Sequence, residues 1–199
     1  MVKFVSSTGN RDKLTKFLQF EARFLVYFMK GRQNELAERL DKFYKATGDA
    51  RRILRFFNEF NTVGVLARMN PSKMNVVDWL GVLSNVTLSM FLVIDHLLWL
   101  LTKGVFKGDL EKWKKIGNYL WLISLLASII QNTIVYRSTL AKGAKKEDKM
   151  KCLLTYIRVV PDVFSALEGL NKIQWSDAVM GSLGMISSAE GIYSGWSAK

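Results

Sequence analysis

Asp95 and His96 are the adjacent pair of side chains best suited to chemistry in this chain. They lie near the end of an apolar run that continues to Leu101. Ionisable groups at membrane depth are functional candidates, as proton relays or as ligand contacts. Trp99 follows within one turn, however, and near a membrane interface an Asp–His pair is inexpensive. We therefore favour a structural polar contact over a proton relay or a ligand site.

Other catalytic chemistry lacks the residues that it needs. The chain has one histidine and one cysteine, Cys152, far apart in sequence, which is a weak basis for a Cys–His pair. No glycine-rich phosphate loop is present. A single cysteine excludes a disulfide framework and a cysteine-built zinc site within one chain. We predict a protein that is not an enzyme and that uses no cofactor or metal.

The composition indicates an all-α protein with an acidic partner. Among 199 residues only Pro71 and Pro161 interrupt the helical patterns, and the net charge is +12. Such a charge suits nucleic acid or an anionic membrane surface. Basic residues do interleave with aromatics, but the aromatics share helical faces with leucine and isoleucine, and no nucleic-acid recognition signature is present. We predict an anionic phospholipid membrane as the partner and no nucleic acid.

Residues 11–28 form the first element that could meet this partner. At 100° per residue, their apolar side chains fall on one broad face and their polar side chains on the other. Lys16 and Arg23 lie on the polar side, where they would meet lipid headgroups while the rings enter the acyl boundary. A helix docked on a protein core has the same period and stays an alternative. The predicted membrane-binding face comprises Leu14, Phe17, Leu18, Phe20, Phe24, Leu25 and Phe28.

Two long apolar runs predict a helical hairpin over residues 73–136. Residues 76–101 would span about 39 Å as a helix, enough to cross a hydrocarbon core of about 30 Å. Trp79 and Trp99 lie near the two ends of this run, as interfacial tryptophans do. Residues 116–135 carry no charge and form the clearest membrane span in the sequence. The hairpin would separate amphipathic basic helices at 1–72 from a basic linker and glycine-rich helices at 137–199.

The carboxyl-terminal segment carries small residues at helical spacing. Gly181, Gly184, Gly191 and Gly195 fit the pattern that lets two helices approach closely in a membrane. Packing within one chain and dimerisation are equally good explanations of this pattern. A further membrane-embedded helix is a third prediction for this segment.

Residues 9–14 read Gly-Asn-Arg-Asp-Lys-Leu, and residues 18–25 read Leu-Gln-Phe-Glu-Ala-Arg-Phe-Leu. These segments are similar to the Gly-Arg-Asp-Lys-Leu opening and the Leu-Gln-aromatic-x-Ala-Arg element of the peroxisomal membrane protein eleven family, the peroxins that elongate and divide peroxisomes. The order of the motifs along the chain also resembles that family. Departures are Asn10 in the opening, Glu21 within the apolar face and Glu190 in the last helix. Further similar segments lie at 50–56, 95–100, 120–126 and 184–191.

The resemblance implies an integral membrane protein of peroxisomes, or of specialised peroxisomes such as glycosomes, with its amino terminus in the cytosol. It also implies membrane remodelling, a homo-oligomer, and recruitment of a dynamin-like GTPase with its fission adaptor. Two alternatives remain. A metabolite channel would place Asp95, His96, Asn85 and Thr87 along a wet path. A soluble helical adaptor would bury both apolar runs in its core.

Overall fold

The fold is built from helices alone in the residues that the structure describes. The computed structural model describes residues 2–69 and 71–197. The predicted terminal segments also contain Met1, Asn70, Ala198 and Lys199, which lie outside the described residues. The helices are α1 (Val2–Val5), α2 (Thr8–Met29), α3 (Asn34–Leu54), α4 (Asn58–Leu66), α5 (Val76–Thr102), α6 (Leu110–Ala141), α7 (Lys146–Gly169) and α8 (Asp177–Ser197), with a 3-10 turn at Pro71–Lys73. The all-α prediction is confirmed.

Six of these helices pack in a ring. Going round it, α3 packs against α2, α2 against α8, α8 against α7, α7 against α6 and α6 against α5. The ring closes between α5 and α3, where backbone contact is sparse, and α4 packs against α5. The helices therefore surround a common interior, and the α3–α5 junction is the least packed part of the ring.

Helices α5 and α6 form the predicted hydrophobic hairpin. The Asn75 side chain and Asp78 cap the start of α5 reciprocally, and Asp109 caps the start of α6. Ser84 and Ser124 exchange hydrogen bonds between the two helices, as small polar residues do at helix interfaces in membranes. Both helices are long and apolar enough to cross a membrane, and most of each apolar stretch faces outward. The spans predicted at 76–101 and 116–135 fall within them.

The helix interruption expected at Pro161 is absent, and one break lies where the sequence does not predict it. Thr47 and Gly48 do not interrupt α3, because the threonine hydroxyl bonds back to the Phe43 carbonyl and Gly48 permits the close approach of Gln19 from α2. Helix α7 likewise continues through the buried Pro161. The break comes instead at Phe57, which has a left-handed backbone with φ of 69°. This turn sends α4 back along α5.

Candidate functional site

The interior of the ring contains many charged side chains among apolar ones. A cavity of about 820 Å³ is lined by residues from all six ring helices. Nine basic and six acidic side chains line it, so its charge is unbalanced toward the positive. The basic residues are Lys13, Lys16, Arg23, Lys45, Arg51, Arg52, Arg55, Lys114 and Arg158, and the acidic ones are Asp12, Asp49, Asp95, Glu111, Asp162 and Glu168.

The polar side of α2 faces this cavity and is ion-paired there. The Lys16 ammonium donates to Asp162 of α7 at 2.6 Å and to the Ser187 hydroxyl of α8 at 2.8 Å. Arg23 donates to both carboxylate oxygens of Glu168, at the end of α7, and its Nε donates to Asp177. The two cations predicted to meet lipid headgroups thus contact carboxylates of the protein instead. Membrane binding through them stays a prediction that needs the ring to open.

Burial and pairing act on these charges in opposite directions. Burial lowers the pKa of the Lys16 ammonium, and the attraction of Asp162 offsets only part of that effect. Burial alone would also lower the pKa of the Arg23 guanidinium, but its hydrogen bonds to Glu168 and Asp177 outweigh burial and raise it. Burial alone would raise the pKa of Asp177, whereas the hydrogen bonds from Arg23 and Lys30 lower it. The charged form of Arg23 is therefore favoured, whereas burial disfavours the charged form of Lys16.

The arginines of α3 connect the two sides of the ring. The Nε of Arg51 donates to Asp12 at 3.0 Å, which ties α3 to α2. Arg52 and Arg55 share Asp95 of α5, at 3.2 and 2.7 Å. Asp95 itself is 5% exposed, so these two guanidinium groups neutralise a carboxylate in the middle of an apolar helix.

Asp95 and His96 have structural partners, as the sequence favours. Asp95 lines the cavity, and His96 stacks on Phe56 with its Nδ1 3.8 Å from a Glu59 oxygen. The other residues of the channel alternative do not line this cavity. The Asn85 amide donates to the Gly81 carbonyl, and Thr87 bonds back to Leu83 within α5.

The apolar side of α2 is divided between the protein and the exterior. Phe20 and Phe24 pack on α8, with Phe20 buried. Leu18 and Phe28 are 46% and 43% exposed and point away from the ring. Leu14, Phe17 and Leu25 are partly buried. Helix α5 shows the same outward apolar pattern, with an exposed row at Val76, Trp79, Leu83, Val86, Met90 and Val93.

The glycines of α8 are where α2 comes closest. A Cβ on Gly184 would lie 2.0 Å from the Phe20 ring, and a Cβ on Gly181 would lie 2.7 Å from the backbone nitrogen of Phe24. Gly191 and Gly195 face Lys13 and Asn10 in the same way. The sequence left packing within one chain and dimerisation as explanations of these glycines. In the structure the four glycines pack against α2 of the same chain. Self-association would therefore need another surface.

Replacing Gly181 by alanine is expected to lower the unfolding midpoint of the detergent-solubilised protein. The new methyl group meets the α2 backbone, which cannot move aside as a flexible side chain could, and overpacking of this kind costs about 1–3 kcal/mol. Gly64→Ala in α4 is the matched control, because nothing lies within 4 Å of that position. It should raise the midpoint slightly through helix propensity. Equal midpoints for the two variants would contradict this packing.

The carboxylates of α7 and α8 were missed by the sequence reasoning. Asp162 and Glu168 lie six residues apart in α7, which at 100° per residue puts them about 120° apart around the helix, and Asp177 begins α8. They form no single acidic face, so no periodic pattern could have identified them, and the only signal was their place as isolated carboxylates among apolar residues of a strongly basic chain. Glu190, a departure from the family pattern, is also accommodated: it is buried and accepts a hydrogen bond from Ser194, with Arg158 3.9 Å away.

Two helices long and apolar enough to span a membrane, packed in a ring with many charged residues inside, are features of a helical membrane protein. The model of the family "peroxisomal biogenesis factor 11 (PEX11)" matches residues 1–196. The chain belongs to the PEX11 family, and the resemblance inferred from its motifs is confirmed.

Several peroxisomal membrane proteins are similar to the chain. It is 26% identical to the Dictyostelium discoideum peroxisomal membrane protein 11 homolog over 80% of its own length and 62% of that relative. It is 27% identical to Saccharomyces cerevisiae PMP27, over 95% of the chain and 84% of the relative. Candida boidinii PMP30B is 23% identical over the whole chain and 93% of its own length. No solved structure matches the chain.

Proposed function

We propose that the chain remodels and elongates the peroxisomal membrane, and helps to divide peroxisomes, by inserting the outward apolar side of α2 into one leaflet. The observation that carries the proposal is the orientation of α2: Leu18 and Phe28 point outward while Lys16 and Arg23 are paired inside. Apolar volume that enters one leaflet expands it relative to the other, and the membrane bends toward the expanded side.

The α5–α6 hairpin would hold the protein in the bilayer, so that α2 acts as a wedge and need not be the anchor. Attraction to anionic headgroups in the closed ring would come from exposed cations rather than from the interior pairs. Each cation near an anionic surface contributes about 1 kcal/mol. Exposed cations near α2 and α3 include Arg11, Lys30, Arg32, Arg39 and Lys42.

Membership of the family supports a wider role. We propose that the protein acts in peroxisomes or glycosomes with its amino terminus in the cytosol, that copies of it associate, and that it recruits a dynamin-like GTPase with its fission adaptor. The test is expression in cells that lack their own PEX11-family protein. The proposal predicts that peroxisomes become longer and more numerous. Unchanged peroxisomes, with the protein present in their membrane, would contradict it.

The interior cavity supports a second candidate, passage of small metabolites across the same membrane. A neighbouring cavity of about 750 Å³ shares Arg23, Tyr44, Lys114, Ser165, Glu168 and Gly169 with the first. The two together would give a continuous polar path within the ring. Planar-bilayer recordings test this candidate. Lys114→Glu should shift ion preference toward cations, whereas Lys142→Glu, on the exposed linker, should not. Absence of any conductance would exclude the candidate.

A further inference from the structure

We propose that the inner side of the α2–α3 hairpin is a latent binding surface for anionic lipid headgroups, covered in the closed ring by the protein's own carboxylates. We call this surface the cationic inner face and define it by Lys16, Arg23, Arg52 and Arg55. The inference rests on the proposed membrane association but not on membrane remodelling. On this inference the closed ring is an autoinhibited form, because internal carboxylates occupy the cations that would otherwise bind headgroups.

The ion pairs that join the hairpin to the rest of the ring have one polarity. The cations of the cationic inner face belong to the hairpin or, for Arg55, to the residue that ends it. Each pairs with a carboxylate of α5, α7 or α8, and Arg52 also pairs with Asp49 of its own helix. One pair of opposite polarity, Lys103 with Asp49, lies at the exposed end of α5. The four carboxylates are Asp95, Asp162, Glu168 and Asp177.

Ionic contact predominates where the hairpin meets α5 and α7. Backbone contact between α3 and α5 is sparse, and the Arg55–Asp95 and Arg52–Asp95 pairs join these helices. Lys16 and Arg23 reach α7 through long side chains. An apolar interface would lose its stabilisation on opening, because water would replace the lost contacts. An ionic interface can exchange one anionic partner for another without leaving a cation unpaired, while the carboxylates that are released meet the water that enters the opening.

Phosphate can take over these contacts. Arginine binds carboxylate and phosphate with the same pair of parallel hydrogen bonds, and lysine binds either as a point charge. The interior also has room for the exchange, because all four cations line the 820 Å³ cavity. The cavity has more basic than acidic residues, so an added anion improves its charge balance.

The sparse α3–α5 junction is the natural place for opening, and two exposed residues report on it. Spin labels at Phe43 of α3 and Val93 of α5 can be introduced into the full chain with Cys152→Ser, since both positions are about half exposed. The label-to-label distance is then measured in vesicles of neutral phosphatidylcholine and in vesicles that also contain phosphatidylserine. The ratio of long to short distances should rise in the anionic vesicles by about fivefold for each cation that reaches a headgroup.

A variant pair separates this mechanism from general surface attraction. Asp162→Asn with Glu168→Gln keeps the shape and one hydrogen-bond acceptor of each side chain but removes the competing charges. It should raise the population of long distances already in neutral vesicles. Glu35→Gln is the matched control, because Glu35 pairs with Arg39 on the exposed side of α3 and neither residue lines the two cavities. It should leave the distances unchanged.

Three outcomes would overturn the inference. The first is the same distance distribution in neutral and anionic vesicles, which the wild-type sequence tests even if the variant fails to fold. The second is equal opening in neutral vesicles on addition of inorganic phosphate, which would assign the surface to a soluble anion. The third is equal opening by the control. If the protein failed to deform membranes, the proposed function would be contradicted, but these three distance measurements would still test the inference.

Discussion

Asp95→Asn is expected to lower the free energy of unfolding by about 3–5 kcal/mol, the usual cost of removing one member of a buried ion pair. The change leaves the guanidinium group of Arg55 without a carboxylate partner, and Arg52 keeps only Asp49 of its own helix. Because both arginines come from α3, the variant should loosen the α3–α5 junction more than the hairpin of α5 and α6. The measurement is the unfolding midpoint in detergent, together with protease cleavage between α3 and α4.

Glu35→Gln is the control for this change. Glu35 forms an exposed pair with Arg39 one turn away, and such pairs contribute about 0.3–0.5 kcal/mol. The control should therefore unfold close to the wild type. If Asp95→Asn unfolded no earlier than Glu35→Gln, the pairing of Asp95 with Arg52 and Arg55 would be contradicted.

Leu18→Glu combined with Phe28→Glu is expected to abolish tubule formation by the reconstituted protein. Both side chains point outward from α2, so the double variant should fold, but it places two carboxylates where the proposal needs apolar volume. Burying a leucine or phenylalanine side chain contributes about 1.5–3 kcal/mol. Two such losses lower the equilibrium constant for inserting α2 into the membrane by roughly two or more powers of ten. Electron microscopy of the vesicles measures the result.

Leu140→Glu provides the comparison for this double variant. Leu140 is also 46% exposed but lies at the far end of α6, away from α2. Vesicles that carry this control should still form tubules. Tubules that persist in the α2 variant, at equal amounts of incorporated protein, would exclude α2 as the wedge.

Much of the fold could be predicted from the local periodicity of the sequence. The amphipathic period of α2 and the two apolar runs depend on residues close together in sequence, and the runs at 76–101 and 116–135 fall within α5 and α6. The break at Phe57 was not predictable in this way. A phenylalanine rarely adopts a left-handed backbone, and only the packing of α4 against α5 favours the turn.

The partners of the charged side chains of α2 could not be predicted from the same pattern. A helical period separates Lys16 and Arg23 from the phenylalanines, but it does not say which anion they meet. Their partners Asp162 and Glu168 lie about 145 residues later in the chain. A phosphate headgroup and an internal carboxylate have the same charge and similar geometry, so the two interpretations differ only in tertiary structure.

The surroundings of position 18 provide the most direct test that α2 faces lipid while its cations stay inside. A spin label at Leu18 in the full chain with Cys152→Ser can be compared with a label at Arg39, an exposed polar position of α3. Collision with oxygen, which concentrates in lipid, and with a water-soluble nickel complex is measured in vesicles. We predict that the label at Leu18 collides mainly with oxygen and the label at Arg39 mainly with nickel. Equal and high collision with nickel at both positions would contradict insertion of α2 into the membrane.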